Sequence, residues 1–488
     1  MVFSRNSVVL VGAGPGDPGL LTIRGRQLLE DADCVVYDYL ADEAILGLCK
    51  PGVELIDVGK RPDRPLLQDE INDVLVACSS RYRLTVRLKG GDPFLFGRGG
   101  EEADLLRAAG IHFDVVPGVT SALAVPAYAG VPVTYRGISN KVVILTGHKI
   151  GGTHADVDFE ALVGIDATIV ILMGVANRGF LAESLIEAGM DPNTPVAAIR
   201  LGSRPEQTTL RTTLRLLGEA PLKSPATIVI GRVAALNVDF FESRALFGRR
   251  IAILRAADDA VQLASAISSL GARTIHFEAI TSGISSEDHA VLVEQIDGLG
   301  GYGALLLASR RSVNAVMECI NDLRSLAGVR VLAVGRETAR ELAKYKIVAD
   351  LVGSGSGAVE LLHEAVDIYG ASLGAVLYPC SSKVGAERIE QLNAIVGGRL
   401  RAVVSYQVSQ STPSHDDRVR LSKSDAVLVY SPSQAEALGA TFFENYSGAT
   451  VAIGATTKDS LDNLGARSIV TAKSPSDEGV IAALLEAL

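Results

Sequence analysis

Three observations predict an α/β fold for this 488-residue chain. Short runs rich in Val, Ile and Leu recur along it, among them VVLVGAG, CVVYD, LTVRLKGGD, FDVVPG, VVILTGH and TIVILMG in the first half. Stretches whose apolar residues follow the helical period separate these runs. The runs are also apolar throughout rather than alternating with polar residues, the pattern of strands covered on both faces. The sheets are therefore expected to be parallel, with helices on either side. A hydrophobic content of 48%, a charged content of 21% and 49 glycines suit a globular chain with many turns.

Composition also excludes several functions. No apolar run reaches the roughly 20 residues of a membrane span, and the N-terminal MVFSRNSVVLVGAG leads straight into a strand without the pattern of a signal peptide. Five scattered cysteines, Cys34, Cys49, Cys78, Cys319 and Cys380, form no C-x-x-C pair. They read as reduced thiols of a cytoplasmic protein. A net charge of −10 argues against nucleic acid as partner. Any polyanionic ligand must therefore be held by local arginines and lysines.

The first strand ends in GAGPGDPGLLT, where Gly14, Gly16 and Gly19 satisfy G-x-G-x-x-G and Asp38 stands where a dinucleotide fold keeps its ribose acid. As a nicotinamide loop it has a fault. Pro15 and Pro18 remove backbone donors from the turn that would cradle a pyrophosphate. A second cluster, VRLKGGDPFLFGRGGEEADLL, places five glycines between Gly90 and Gly100, more than a turn requires, and suggests backbone close to a ligand. In it Asp92 can accept from a ribose hydroxyl or an amine. Arg98 and Glu101 share a face at a helix start, either as part of a site or as a surface ion pair. A third turn, VVPGVTSALA, sets Thr120 and Ser121 at another helix start.

SPATIVIGRVAAL closes the first half, NVDFFESRALFGRR reads as an amphipathic connector over 239–248, and RIAILRA opens a new strand. The second half contains an echo. ALLLASRRSVNAVMECI precedes VRVLAVGRETARELA, and AVLVYSPSQAEALGATF precedes ATVAIGATTKDSL. In each copy a strand ends in a serine turn (Ser309, Ser431) and the next ends in Gly-x-x-Thr (Gly335 to Thr338; Gly454 to Thr457). Two similar α/β lobes facing one another are expected, 249–281 with 407–488 as one and 282–406 as the other, so the chain crosses between them twice. Ligands in open α/β sheets sit at the carboxyl ends of strands. Ser309, Thr338, Ser381, Ser431, Thr456 and Thr457 all fall there, as helix caps or as donors to a cleft.

GAGPGDPGLLT, VVYD, VGKR, RLKGGDPFLFGRGGEE, VVPGVTSA, LMG and SPATIVIGRV resemble uroporphyrinogen-III C-methyltransferase over about residues 5–240. The resemblance implies a two-lobed class III (tetrapyrrole) methyltransferase fold, with lobes at 1–117 and 118–238. It explains the glycine loop without nicotinamide, because S-adenosyl-L-methionine lies folded between two lobes in that family and leaves as S-adenosyl-L-homocysteine, with no metal. Pro15, Gly90, Gly91, Asp92, Leu95, Thr120, Ser121, Met173 and Gly202 match the cofactor positions. Asp38 and Lys60 match a proton acceptor and donor, and Arg98, Glu101 and Arg136 match residues that hold or deprotonate the tetrapyrrole. Those types suit the chemistry, since a pyrrole carbon attacks the sulfonium methyl, a base removes a ring proton and cations hold carboxylates. Glu101 and Asp38 both stand as the base. Two positions depart from the family. Tyr39 replaces an arginine, and GKRPDRPLLQDEIN lacks the usual histidine, with Arg64 the nearest replacement charge. His148 matches. A homodimer through this half is implied.

Residues 249–488 resemble uroporphyrinogen-III synthase through YGALLLASRRSVNAV, VLAVGRETA, VVSYQV, LVYSPSQAEAL and VAIGATTKDSL in that order. Members are two α/β lobes joined by a double crossover, and they close hydroxymethylbilane while inverting its last ring. Hydroxyl loss leaves a stabilised cation, so positioning outweighs a strong acid. Tyr406 and Thr456 match cleft residues. The combined expectation is a bifunctional enzyme making precorrin-2, a precursor for sirohaem or cobalamin. The alternative is a methyltransferase carrying a non-catalytic tetrapyrrole-binding module.

Overall fold

The computed structural model describes residues 7–38, 43–59, 68–147, 157–256, 260–355 and 357–488. Tyr39, Lys60, Arg64 and His148 lie outside them. The chain forms two compact units, Met1–Arg249 with Ala266–Arg273, and Arg250–Ser265 with Thr274–Leu488.

The first unit opens with β1 (Ser7–Gly12), β2 (Cys34–Tyr37), β3 (Glu54–Asp57), β4 (Leu84–Lys89) and β5 (His112–Val116), a parallel sheet in the order β3-β2-β4-β1-β5. Every residue of β1 and β4 is buried. Period two divides them between two cores. Val9, Val11, Leu84, Val86 and Leu88 pack with Leu28 and Leu29, whereas Val8 and Leu10 pack with Leu75, Cys78 and Leu106. Each fully buried leucine contributes about 1.5–3 kcal/mol.

The second sheet holds β6 (Val142–Thr146), β7 (Thr168–Leu172), β8 (Pro195–Arg200), β9 (Thr208–Thr213) and β10 (Ala226–Ile230) in the order β6-β7-β10-β8-β9. Here the parallel expectation is corrected. Only β6 and β7 run parallel, and the pairs β7–β10, β10–β8 and β8–β9 are antiparallel. The return from Arg200 to Thr208 is a tight turn closed by Gln207 N donating to Arg204 O at 2.9 Å, too short for a parallel crossover. Helix Ser121–Tyr128 covers one face, with Ala122 and Val125 against Val170, Ala197 and Val229.

Residues 239–248, expected as a connector, are packed instead. Asp239 Oδ1 accepts from the backbone N–H groups of Phe241, Glu242 and Ser243, and Phe241 and Leu246 are buried.

The second unit contains β11 (Arg250–Ile253), β12 (Arg273–His276), β13 (Ile280–Gly283), β14 (Ala304–Leu307), β15 (Arg330–Ala333), β16 (Leu351–Val352), β17 (Val376–Ser381), β18 (Leu400–Gln410), β19 (Ala426–Val429), β20 (Ala449–Ala452) and β21 (Ile469–Thr471). They form two sheets, β12-β11-β19-β20-β21 and β13-β18-β17-β14-β15-β16. β13 pairs antiparallel with the end of β18. That ladder keeps both strands in the second sheet, so the crossings fall just outside the expected 281/282 and 406/407 boundaries.

Candidate active sites

In the first unit, the order β4-β1-β5 brings three loops to the carboxyl edge side by side. Gly14 N donates to Gly91 O at 3.2 Å and Gly91 N to Gly14 O at 2.8 Å, which ties the first loop to the second. Gly118 closes in from the third. A Cβ there would lie 2.1 Å from Gly91 O, and one on Gly12 would lie 2.5 Å from Gly118 Cα. No side chain fits at either position. Asp92 fastens the same loops, with Oδ1 accepting from Phe94 N at 2.8 Å and Oδ2 from Gly118 N at 3.0 Å. Each oxygen keeps a further lone pair for a ligand. Thr120 Oγ1 caps the helix that Ser121 opens, accepting from Ala122 N at 3.2 Å.

The second lobe meets these loops directly. Ser203 Oγ accepts from Asp17 N at 3.1 Å. A Cβ on Gly16 would lie 2.4 Å from Arg204 Nε, and one on Gly202 would lie 2.3 Å from Val125 Cγ1. Of the fingerprint glycines, Gly16 therefore serves packing between lobes. Pro15 lies between the glycine that bridges to Gly91 and the one against Arg204. Leu95 packs on the second lobe's core. Phe96, Arg98, Met173, Leu201 and Ser203 all have positive φ, between 50° and 67°. Backbone strain is thus concentrated in the loops that the resemblance marks, at roughly 1–3 kcal/mol per residue. Phe94, Phe96, Leu123 and Met173 are also exposed, leaving apolar surface on the same loops.

Arg98 and Glu101 form a fork, Nε to Oε1 at 2.9 Å and Nη2 to Oε2 at 2.5 Å. This bonding holds the Glu101 carboxyl below its usual range and raises the guanidinium. Arg136 is exposed, without an ion pair among the described residues. Asp38 is half-buried, and its Oδ1 accepts from Arg87 Nη2 at 2.6 Å.

Behind Asp38 lies a group that sequence reasoning missed. Arg87, Lys89 and Glu102 are all buried. Glu102 Oε1 accepts from Lys89 Nζ at 2.7 Å and from Arg87 Nε at 3.3 Å, while Oε2 has no partner among the described residues. Burial, then the Arg87 charge, pushes the Lys89 ammonium below its usual range. The signal was available. Two cations at alternate positions of an apolar strand share one face, and buried there they require an anion.

In the second unit, Ser309 Oγ donates to Tyr406 OH at 3.1 Å. Ser309 also caps helix Arg310–Cys319 through a reciprocal pair with Ser312. The cap and site readings therefore hold together for this residue. Ser431 caps Pro432–Leu438 by accepting from Gln434 N, and Ser381 Oγ accepts from Lys383 N in a turn. Thr338 and Thr457 are buried within the first turns of their helices, and Thr456 is exposed. Among the described residues, Ser309 and Tyr406 are the pair within this set that a hydrogen bond joins.

Among known proteins, the family Tetrapyrrole (Corrin/Porphyrin) Methylases matches residues 7–218, and Uroporphyrinogen-III synthase HemD matches residues 261–482. A porphyrin biosynthesis protein HemD of Ruminiclostridium josui is 39% identical over 70% of this chain and 70% of its own. A uroporphyrinogen-III C-methyltransferase of Bacillus subtilis is 37% identical over 71% of this chain and 72% of its own. An S-adenosyl-L-methionine-dependent uroporphyrinogen III methyltransferase of Methanosarcina barkeri is 47% identical over 49% of this chain and 95% of its own. With its tied glycine loops in front and its paired lobes behind, the chain belongs to the family that fuses a uroporphyrinogen-III C-methyltransferase to a uroporphyrinogen-III synthase, a bifunctional enzyme of tetrapyrrole biosynthesis.

Proposed function

We propose that the second half cyclises hydroxymethylbilane to uroporphyrinogen III, and that the first half methylates this ring twice from S-adenosyl-L-methionine to give precorrin-2. The observation carrying the methylation is the junction of Gly12, Gly91 and Gly118 under Asp92. It holds three loops at one sheet edge with no side chain between them. The residues fit the cofactor. Gly91 has φ +67° and an open Cβ direction, with nothing nearer than 3.8 Å, and Met173, at a position that matches the family's cofactor residues, offers exposed apolar surface. Gly90, Gly91, Asp92, Leu95, Thr120, Ser121, Met173, Gly202 and Pro15 would hold it, and when bound it supplies an electrophilic methyl on sulfur.

The chain's own residues do the rest. Arg98 and Arg136 hold ring carboxylates by charge-assisted hydrogen bonds. Asp38 takes the ring proton. It is the better acceptor because Arg98 occupies both oxygens of Glu101 and lowers its basicity, whereas Arg87 occupies one oxygen of Asp38. Lys60 serves as donor by resemblance. In the synthase half, Tyr406 and Ser309 orient the substrate for hydroxyl loss, with Thr338, Ser431 and Thr456 at the strand ends. The reading includes a cytoplasmic homodimer through the methyltransferase half.

Purified protein given hydroxymethylbilane under anaerobic conditions, with product masses taken, tests this reading. A type III macrocycle forms without the cofactor, and a product two methyl groups heavier forms with it. Cyclisation without methylation would overturn the role given to the first half of the chain, and methylation only of supplied uroporphyrinogen III would overturn the role given to the second half.

A further inference from the structure

We propose that residues 239–247 are a strap that braces the methyltransferase site from behind its loops. Through Gln207 and Tyr128 this strap fixes the two loops, 13–19 and 201–204, that hold the cofactor. The inference rests on the reading above that those loops do so.

Two routes run from the strap to the loops. The first is a line of hydrogen bonds. Glu242 Oε1 accepts from Gln207 Nε2 at 2.7 Å and from Thr209 Oγ1 at 2.6 Å. Gln207 Oε1 accepts from Ser203 N at 2.9 Å, and Ser203 Oγ accepts from Asp17 N at 3.1 Å. Ser203 has φ +67°, a conformation that an ordinary residue holds only when its surroundings impose it. The bond from its N–H to Gln207 is that imposition. Ser203 and Gln207 are each 3% exposed, so these bonds do not compete with water.

The second route is aromatic. The Tyr128 ring stands edge-on to Phe241 at 4.7 Å and to Phe240 at 5.8 Å, and its hydroxyl donates to Asp17 Oδ2 at 2.6 Å. Asp17 in turn accepts from Gly19 N with Oδ1, shaping the glycine loop from within. Both routes end on Asp17. Gln207 Nε2 also donates to the Tyr128 carbonyl at 3.1 Å, so the routes brace each other. Asp239, by capping the turn, aims Glu242 at Gln207. Glu242, Gln207, Ser203 and Tyr128 are positioning residues.

The test uses the full chain and Glu242→Ala. The KM for S-adenosyl-L-methionine and the Kd of S-adenosyl-L-homocysteine by calorimetry should rise about tenfold, as the charge-assisted bonds to Gln207 and Thr209 are lost. kcat for methylation should stay within about twofold, since transition-state contacts are untouched. Hydrogen exchange of residues 13–19 and 201–204 in ligand-free protein should accelerate. Glu242→Gln should restore most of the affinity, because an amide oxygen still accepts from Gln207 and Thr209. If Glu242→Ala loses the methyltransferase thermal transition, Thr209→Val, which removes one bond, should show the same changes on a smaller scale.

Unchanged affinity and unchanged exchange in these variants would overturn the strap's role. Failure of S-adenosyl-L-homocysteine to slow exchange at 13–19 and 201–204 in the unaltered protein would instead remove the underlying reading, and the inference with it.

Discussion

Glu102 is a single carboxylate between two buried cations. Taking away one partner of such a group costs about 3–5 kcal/mol, because a charge is left in low dielectric without compensation. Glu102→Gln should therefore lower the stability of the first unit by about that amount in urea unfolding followed by a reporter in that unit. Glu102→Asp should lose less. Gly118 poses a different constraint. A methyl group there would overlap Gly91 O, so Gly118→Ala should cost about 1–3 kcal/mol and reduce methylation more than tenfold, read as initial rate on supplied uroporphyrinogen III. The glycines of 90–100 were legible in sequence as a cluster bringing backbone close to a ligand, but the partner of Gly16 was not. Gly16 answers to Arg204, far away in the chain, and no local pattern contains that contact. Glu102 was hidden for another reason. It stands next to Glu101 in the chain, and only the helical phase separates the buried carboxylate from the exposed one.

At the scale of elements, strand identity was read well where apolar runs were short and bounded, as for β1, β4 and β7. Direction was not. An antiparallel strand with both faces covered has the same apolar composition as a parallel one, so β8 and β10 were indistinguishable from parallel strands until their connections were seen. β12 carries a testable property. His276 Nδ1 is buried without a partner among the described residues, and burial pushes the imidazole below its usual value. The unfolded chain therefore binds the proton more readily between the folded value and about 6.5, and stability rises with pH across that window. Acidifying from pH 7 to 5.5 should lower the melting temperature of the second unit. His276→Asn should flatten that dependence, as differential scanning at several pH values would show.

At the scale of the whole molecule, the residues proposed for the two activities lie in separate units, so the activities should be separable by mutation. Tyr406→Phe removes the hydroxyl that Ser309 bonds. It should slow cyclisation by about tenfold to a hundredfold while methylation of supplied uroporphyrinogen III stays unchanged. Arg98→Leu should do the reverse, and rates measured on hydroxymethylbilane and on uroporphyrinogen III separately would check both. The echo between Ser309 and Ser431 made the paired lobes visible in sequence, because each copy repeats a strand, a cap and a glycine turn.

The link between those lobes has a mechanical meaning. The β13–β18 ladder pairs Ile280 with Gln410, and beyond it Ser411 N donates to Ala279 O at 2.9 Å, so both chains leave the second sheet as one hydrogen-bonded ribbon. Such a ribbon behaves as a leaf spring. It flexes readily across its thin dimension and resists shear in its plane, where the ladder would have to slip. A shear of the two lobes would therefore have to break the bonds that pair Ile280 with Gln410, whereas a bend of the ribbon would leave that register intact.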